Sequence, residues 1–418
     1  MPQQPQPMIL LFNALVTGHH EAAWRQPGAQ PQRLRDLAYY QELAVTAERG
    51  GFDAMFVADF FVFYPGVAFS PRWELDPLTL LSGVAAATQE IGVIATASTV
   101  FSSPQELAAA FATLDQVSGG RAAWNIVTNG EPAAAANYGQ DQPIAHQERY
   151  RLGVGVVDSV LAQWRTAGST GAVPPPVQQP PVLVQAGSSP DGRDFAARYA
   201  DIVFTAQHTQ EQAKAFRQEM RERARAHGRP ADAIRIIPGI SPALDHTDAQ
   251  AAAYKAALDA DIAPEASLAW LAGFGIDLSG HDLDAPVPAN LGDIDRFEGI
   301  KSRFSVIADI IARYQPHSIR ELLHRLAGSR GHATFTGTPA ALADWMQTWL
   351  EDGAADGFML MPLAYPRDLD IFVQHVSPQL RARGLLRPSA DPMTLRQRLG
   401  LERPADAGFS SHKDTHHV

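Results

Sequence analysis

The sequence predicts an α/β protein of the TIM (β/α)8-barrel class, and three features of its 418 residues carry this prediction. Eight short, nearly continuous apolar runs are spread along the chain, as expected for parallel strands that are covered on both faces. Longer segments with helical periodicity separate most of these runs. A Gly-x-Gly-x-x-Gly fingerprint after an early strand would favour the alternative, an open Rossmann-like sheet, and the sequence has none.

The predicted elements alternate in order, and several of their boundaries have a chemical reason. Pro77 and Pro104 suit the first turn of a helix, where the missing N–H costs nothing. Glycines at 50–51 and 119–120 suit helix ends that need a left-handed residue. The predicted strands are 9–15, 54–59, 91–99, 122–128, 182–187, 202–207, 234–240 and 357–362. The predicted helices between them are 34–49, 77–89, 104–117, 146–164, 191–199, 211–226 and 340–351.

A single domain is expected for residues 1–400, with one interruption. Between 259 and 338 the alternation stops, and a polar loop is followed by helical patterns at 303–313 and 319–326. We interpret 259–338 as an insertion between the seventh and eighth strands, on the barrel face that carries the active site. The tail 401–418 is polar, has no apolar period and is expected to be mobile.

Composition argues against several classes of function. A formal net charge of −11 does not suit a nucleic-acid-binding protein, which needs clustered Lys and Arg. The absence of cysteine excludes disulfides, thiolate catalysis and Cys-ligated zinc. His19 and His20 lack a spacing to carboxylates that is typical of a metal site, so no metal is predicted. We find neither a signal peptide nor a long apolar run, so a cytoplasmic protein is expected.

Polar residues near the ends of the predicted strands mark a candidate site, because these ends converge on one mouth of a barrel. Asp59 ends the second strand, Thr96 lies in the third, and Thr128 ends the fourth. Hydroxyls, amides and one carboxylate around one mouth suit a polar organic ligand that is held by hydrogen bonds. The same hydroxyls can equally cap the helices that follow them.

A phosphate site is predicted after the fifth strand, where Ser188 and Ser189 precede a helix. Free N–H groups at a helix start, with two hydroxyls beside them, favour an anion, although a simple serine N-cap is the alternative. His146 and Tyr150 are four residues apart and therefore share one face of the helix after the fourth strand. Since this helix starts at the mouth, both side chains are expected to reach the same ligand.

Longer runs of the sequence resemble the bacterial-luciferase-like flavin monooxygenases, and within them the branch of nitrilotriacetate, EDTA and dibenzothiophene-sulfone monooxygenases. The resemblance is carried by GFDAMFVAD at 51–59 and by LDQVSGGRAAWNIVT at 114–128. It spans nearly the whole chain in order. Further matching runs lie at 76–81, 95–99, 184–189, 203–207, 275–280 and 353–358.

The resemblance implies a two-component monooxygenase that uses FMN in its reduced form, FMNH2, supplied by a separate NAD(P)H-dependent flavin reductase. A flavin C4a-peroxide would insert one oxygen atom of O2 into a small organic substrate, and the chain would form a homodimer or homotetramer. By resemblance, Asp59 and Thr96 contact the flavin ring system, and His146 and Tyr150 line the flavin site. Ser188, with Ser189 beside it, holds the phosphate.

Two alternatives to this function stay open at the level of sequence. One is a deazaflavin-dependent oxidoreductase of the same fold, and the other is a non-catalytic flavin-binding protein. The second is suggested by residues 165–181, a segment that is shorter than its counterpart in the family. If the longer segment covers the pocket, this chain would have a more open site, a different substrate or a poorly protected peroxyflavin.

Overall fold

The computed structural model contains a closed barrel of eight parallel strands, which confirms the predicted TIM-barrel fold. Strand β1 pairs with β2 on one side and with β9 on the other, and pairings of β7 with β6 and β9 close the ring. The strands are β1 Ile9–Asn13, β2 Ala54–Val57, β3 Gly92–Ser98, β4 Ala122–Val127, β5 Val182–Gln185, β6 Ile202–Thr205, β7 Arg235–Leu244, β8 Ala333–Gly337 and β9 Gly357–Leu360. The structure describes residues 7–62, 69, 71, 75–167, 173–187, 189–292, 301–388 and 393–401.

Alternate residues along each strand belong to two different cores. Leu11 and Phe56 face the barrel interior, whereas their neighbours Leu10 and Met55 pack against the surrounding helices. Both layers are apolar, so each strand reads as a continuous hydrophobic run. This is why the eight barrel strands could be located from the sequence.

All seven helices predicted between the strands are present, and side-chain caps define many of their starts. Ser103 and Glu106 form a reciprocal capping box, and Asp36 and Asp76 accept hydrogen bonds from first-turn N–H groups. The helices up to the seventh strand are α1 Leu37–Gly50, α2 Pro77–Ala85, α3 Pro104–Val117, α4 Pro132–Asn137, α5 His146–Thr166, α6 Pro190–Tyr199 and α7 Gln210–Ala226. The later helices are α8 Asp248–Ala260, α9 Pro264–Ala272, α10 Lys301–Tyr314, α11 Ile319–Leu326, α12 Pro339–Glu351, α13 Arg367–Ile371, α14 Ser377–Ala382 and α15 Leu395–Arg398.

The segment between β7 and β9 contributes a core of its own. Side chains of α9, α10 and α11 pack together there with Ala22 from the loop after β1. Strand β8 was not predicted; it pairs with the outer half of β7, and exposed and buried residues alternate along it. Its pattern therefore lacks the continuous apolar run by which the barrel strands were recognised. Whether 259–338 is an insertion in the evolutionary sense stays a prediction.

The end of the barrel at which the strands begin is closed by the C-terminal helix α15. Leu395 and Leu399 join the interior core, and Arg396 and Arg398 form ion pairs with carboxylates at the strand starts. The predicted tail lies outside the described residues beyond Leu401. No helix in the described part of the chain is both long and apolar enough to cross a bilayer.

Residues 173–181 lie at this closed end and not at the mouth. The Gln178 amide donates to the Asp115 carboxylate, near the end of α3, and to the Ala122 carbonyl at the start of β4, and its oxygen accepts from the Arg396 N–H. The described residues of 173–181 therefore contact the end of the barrel opposite the mouth, and the effect of the short segment 165–181 on the pocket stays a prediction. Residues 168–172 lie outside the described part of the chain.

Candidate active site at the mouth of the barrel

The start of α6 forms a close cradle of backbone with Tyr150 above it. Ser189 is the N-cap of α6, and its hydroxyl accepts from the Gly192 N–H at 3.1 Å. The Tyr150 hydroxyl lies 3.5 Å from the Ser189 hydroxyl. A Cβ atom at Gly192 would stand 2.8 Å from the Tyr150 hydroxyl and 3.1 Å from the Gly187 Cα, so a larger residue would displace the Tyr150 hydroxyl. Ser188, the other predicted phosphate ligand, lies outside the described residues.

His146 stands beside this cradle, as the spacing in the sequence predicts. Its ring lies 5.1 Å from the Tyr150 ring, and its Nε2 lies 3.3 Å from the Asp191 carboxylate in the first turn of α6. The Arg149 guanidinium lies 3.2 Å from Nδ1, so Arg149 and Asp191 together orient the imidazole. The structure thus brings His146, Tyr150 and Ser189 together, while their role toward a flavin stays a prediction.

Thr96 lies inside the mouth, but its hydroxyl is already engaged. It donates to the Val57 carbonyl at 2.9 Å and accepts from the Asn125 side-chain amide at 2.9 Å. These two bonds tie β2, β3 and β4 together and orient Asn125. The Asn125 Oδ1 atom is buried and has no hydrogen-bond partner among the described residues. The open acceptor is therefore Asn125, which was not predicted from the sequence.

Asp59 lies on the other side of the mouth, after β2. It is partly exposed, next to an aromatic cluster in which the Phe101 and Tyr138 rings stack at 4.1 Å and Phe61 packs against both. Burial and the negative charge of Asp59 raise the pKa of Tyr138. Of the aromatic stretch 60–64, residues 63 and 64 lie outside the described part of the chain. The strand order places Asp59 three strands from the α6 cradle, at the same end of the barrel.

A column of rings occupies the centre of the mouth. Phe56 contacts Phe204 with ring centroids 6.1 Å apart, and the His332 ring stacks on Phe204 at 4.9 Å with an interplanar angle of 7°. A Cβ atom at Gly239 would come within 2.4 Å of the His332 Nδ1 atom. His332 thus covers the top of the barrel interior. It was not singled out in the sequence because it lies in a segment without strand periodicity.

An open cleft lies between the loop after β1 and the start of α9. Its walls are aromatic and charged, which is typical of a small-molecule site with a few polar groups. Lining residues include His20, Trp24, Arg25, Phe69, Trp270 and Arg330.

The chain matches the luciferase-like monooxygenase family over residues 14–357. It belongs to that family. The chain is 38% identical to N-acetyl-S-(2-succino)cysteine monooxygenase of Bacillus subtilis (strain 168), over 93% of this chain and 96% of that protein. It is 35% identical to nitrilotriacetate monooxygenase component A of Aminobacter aminovorans, over 96% of this chain and 98% of that protein. The predicted family and enzyme class, a flavin-dependent monooxygenase, are confirmed.

One of the similar solved structures contains a flavin. The crystal structure of a riboflavin lyase with modified FMN and substrate riboflavin superposes on this chain with a TM-score of 0.81. The two sequences are 26% identical, and the match covers 95% of this chain and 96% of that one.

Proposed function

We propose that this chain is the oxygenase component of a two-component system that takes FMNH2 from a separate flavin reductase and oxygenates a small organic substrate. The α6 cradle is the observation that carries the proposal. Helix N-termini bind phosphates through free N–H groups and the helix dipole, and Gly187 and Gly192 leave room for that approach. Ser189 and Tyr150 add hydroxyls to the same place. The dimer or tetramer implied by the resemblance stays a prediction.

The groups inside the mouth fit the ring system of a flavin. The Oδ1 atoms of Asn13 and Asn125 are buried and have no hydrogen-bond partner among the described residues. Such acceptors suit the N–H edge of an isoalloxazine, and burial without a ligand is costly. Thr96 holds Asn125 in place, so its proposed role toward the flavin is partly that of a positioning residue.

When bound, reduced FMN supplies the electrons that activate O2, by the C4a-peroxide route that the resemblance implies. The protein's own part is to hold the cofactor, exclude water and select the substrate. In this proposal Ser189, Tyr150 and the α6 N-terminus hold the phosphate, and His146 lies beside them with its imidazole fixed by Asp191. Phe61, Phe101 and Tyr138 form an apolar wall near Asp59 that limits access of water.

The first test is flavin affinity in variants of the cradle. A combined Tyr150→Phe and Ser189→Ala variant should weaken FMN binding by about 10- to 150-fold for each phosphate bond that is lost, because a charge-assisted hydrogen bond contributes roughly 1.5–3 kcal/mol. FMN titration followed by quenching of flavin fluorescence measures this. The matched control combines Tyr199→Phe with Ser318→Ala, which removes a buried tyrosine hydroxyl and an N-cap serine elsewhere. Equal FMN affinity in the two double variants would remove the phosphate assignment.

The second test separates an oxygenase from its alternatives. Protein loaded anaerobically with FMNH2 is mixed with O2 in a stopped-flow spectrophotometer, and a transient absorbance distinct from reduced and oxidised FMN is expected. A flavin carrier would show direct conversion to oxidised FMN. Tighter binding of a reduced deazaflavin than of FMNH2 would support the deazaflavin-dependent alternative instead.

A further inference from the structure

The first turn after β1 has a valine at a position where the backbone favours glycine. The Gly18 N–H donates to the Leu15 carbonyl at 2.8 Å, which closes a turn with Val16 and Thr17 at its centre. Val16 has a φ of 38°, in the left-handed region. A β-branched residue is rarely found there, and glycine, asparagine or aspartate usually occupies the first central position of such a turn. The backbone is therefore strained at Val16.

Hydrogen bonds from two other parts of the barrel hold Val16 in this conformation. The Tyr365 N–H, in the loop after β9, donates to the Thr17 carbonyl at 2.8 Å. The Tyr39 hydroxyl, on α1, donates to the Val16 carbonyl at 3.3 Å. Strain of this kind persists only where the surrounding structure determines the conformation, and it is concentrated at functional sites. Val16 is therefore a candidate functional residue.

Val16 lies between two spaces at the mouth and contributes to the walls of both. One is the open cleft, which Trp24 and Trp270 also line. The other, which we call the apolar pocket, lies between the loops after β1 and β2. Of the side chains that line the apolar pocket, only Tyr40 has a polar atom, and its hydroxyl donates to the Leu34 carbonyl. The apolar pocket therefore suits an apolar group. Its lining includes Leu15, Val57, Ala58, Phe60 and Leu80.

The apolar pocket adjoins residues that are assigned above to the flavin site. Asn13, whose buried Oδ1 atom has no hydrogen-bond partner among the described residues, is three positions before Val16. Asp59 is the residue between Ala58 and Phe60, which both line the pocket. A substrate that reaches the proposed flavin site from the open cleft therefore passes Val16.

We propose that Val16 is a specificity-determining residue, whose side chain separates the open cleft from the apolar pocket and limits the size of the apolar group that a substrate can place there. This inference rests on the proposed function as an oxygenase. Glycine at this position would relax the turn, but it would also remove the side chain that separates the two spaces. Valine therefore retains selectivity although it lowers stability, a conflict that is common at functional sites.

The test measures binding of the 1-alkanols from 1-propanol to 1-octanol to the full chain by isothermal titration calorimetry, without flavin. Affinity should rise about fourfold with each added CH2 group until the alkanol fills the available space, and the chain length at which the rise stops is the length limit. Val16→Ala should move the length limit to a longer alkanol, and Val16→Ile to a shorter one. The matched control is Val373→Ala, which truncates a partly buried valine in the outer helical layer and should leave the length limit unchanged.

Melting temperatures of four variants test the strain separately. Val16→Gly should melt at a higher temperature than Val16→Ala, because both lack the branched side chain and only glycine releases the strain. The order should be reversed at position 373, which is helical, since glycine loses more backbone entropy than alanine on folding. Val373→Gly should therefore melt at a lower temperature than Val373→Ala.

Three results would overturn the inference. The first is that neither the wild-type chain nor Val16→Ala binds any of the alkanols. The second is a length limit that is the same in the wild-type chain, Val16→Ala and Val16→Ile, or that moves equally in Val373→Ala. The third is that Val16→Gly melts below Val16→Ala, which would show that the turn is not strained. Because the titration contains no flavin, alkanol binding can succeed or fail independently of the stopped-flow test for oxygenase chemistry.

Discussion

The buried polar groups at the two ends of this barrel differ in whether they have hydrogen-bond partners within the protein. At the closed end, carboxylates that precede the strands are paired with backbone N–H groups and with arginines of α15. At the mouth, buried amide oxygens of Asn13 and Asn125 and the Nδ1 atom of His332 have no partner among the described residues. The carboxylates at the strand starts are satisfied within the protein, whereas the mouth presents open acceptor atoms to a ligand. Stability and binding are thereby separated along the barrel axis, as is general for this fold.

The same arrangement of a carboxylate, a backbone N–H group and an arginine occurs three times at the closed end. Asp53, Asp201 and Asp356 each directly precede or lie just before a strand and accept a backbone N–H from the neighbouring strand. Each carboxylate also faces an arginine: Arg398, Arg396 and Arg217 respectively. These pairs fix the register of adjacent strands where the barrel closes. Because these carboxylates already have partners within the protein, the long-range contacts of α15 stabilise the fold and are not part of the candidate site.

The largest effect is expected for Arg398→Met at the closed end. Removing one partner of a buried ion pair leaves the Asp53 carboxylate uncompensated and typically costs about 3–5 kcal/mol. Chemical denaturation should show a loss of that size in the free energy of unfolding, with unchanged FMN affinity of the folded protein. The double variant Asp53→Asn, Arg398→Met should recover part of the loss, because it removes the orphaned charge.

The control for this prediction is Arg383→Met, which breaks an exposed ion pair with Asp344. Asp344 is 71% exposed, and exposed pairs contribute only about 0–1 kcal/mol. Equal destabilisation by the two substitutions would show that the closed end is not specially dependent on its buried charges. A change in FMN affinity in Arg398→Met would contradict the separation of the two ends.

An intermediate effect is expected for Thr96→Val at the mouth. This change leaves the Val57 carbonyl without its donor and the Asn125 amide without its acceptor, which costs about 1–3 kcal/mol of stability. Because Asn125 loses its orientation, FMN affinity should fall as well. Denaturation and flavin titration of the same preparation measure both quantities. Loss of stability with unchanged FMN affinity would make Thr96 purely structural.

Part of the fold and of the candidate site could be predicted from the sequence. The barrel strands and their helices could be located because burial on both faces produces continuous apolar runs and because Pro77 and Pro104 mark helix starts. His146 and Tyr150 could be paired because a helix fixes their spacing. Thr96 was placed at the mouth, but its engaged hydroxyl depends on a partner 29 residues away.

Residues that meet only through tertiary structure could not be found in this way. Arg303 and His332 belong to the segment between β7 and β9. The local pattern of this segment predicts helices but does not show which side chains lie near the centre of the barrel. Strand β8 was missed because its alternating pattern differs from that of the barrel strands. The ion pairs of the closed end are also long-range contacts, since Arg398 and Asp53 are separated by 345 positions in the sequence.

The smallest effect concerns the pH dependence of stability at the mouth. Burial and the charge of Arg303 hold the pKa of His332 well below 6.5, so the folded state resists protonation in a range where the unfolded chain takes up a proton. Below pH 6.5 and above the folded pKa, the unfolded state binds more protons, and stability falls as the pH falls. The contribution of one such histidine is at most about 1.4 kcal/mol per pH unit.

His332→Phe should therefore flatten the dependence of the free energy of unfolding on pH below 6.5, while an aromatic ring still stacks on Phe204. Arg303→Met should flatten it in the same direction, because loss of the neighbouring charge lets the folded His332 bind a proton more readily. Denaturant titrations between pH 5 and 7 measure the slope, with His317→Phe, at an exposed histidine, as the control. An unchanged slope in Arg303→Met would mean that the guanidinium and the imidazole are not electrostatically coupled.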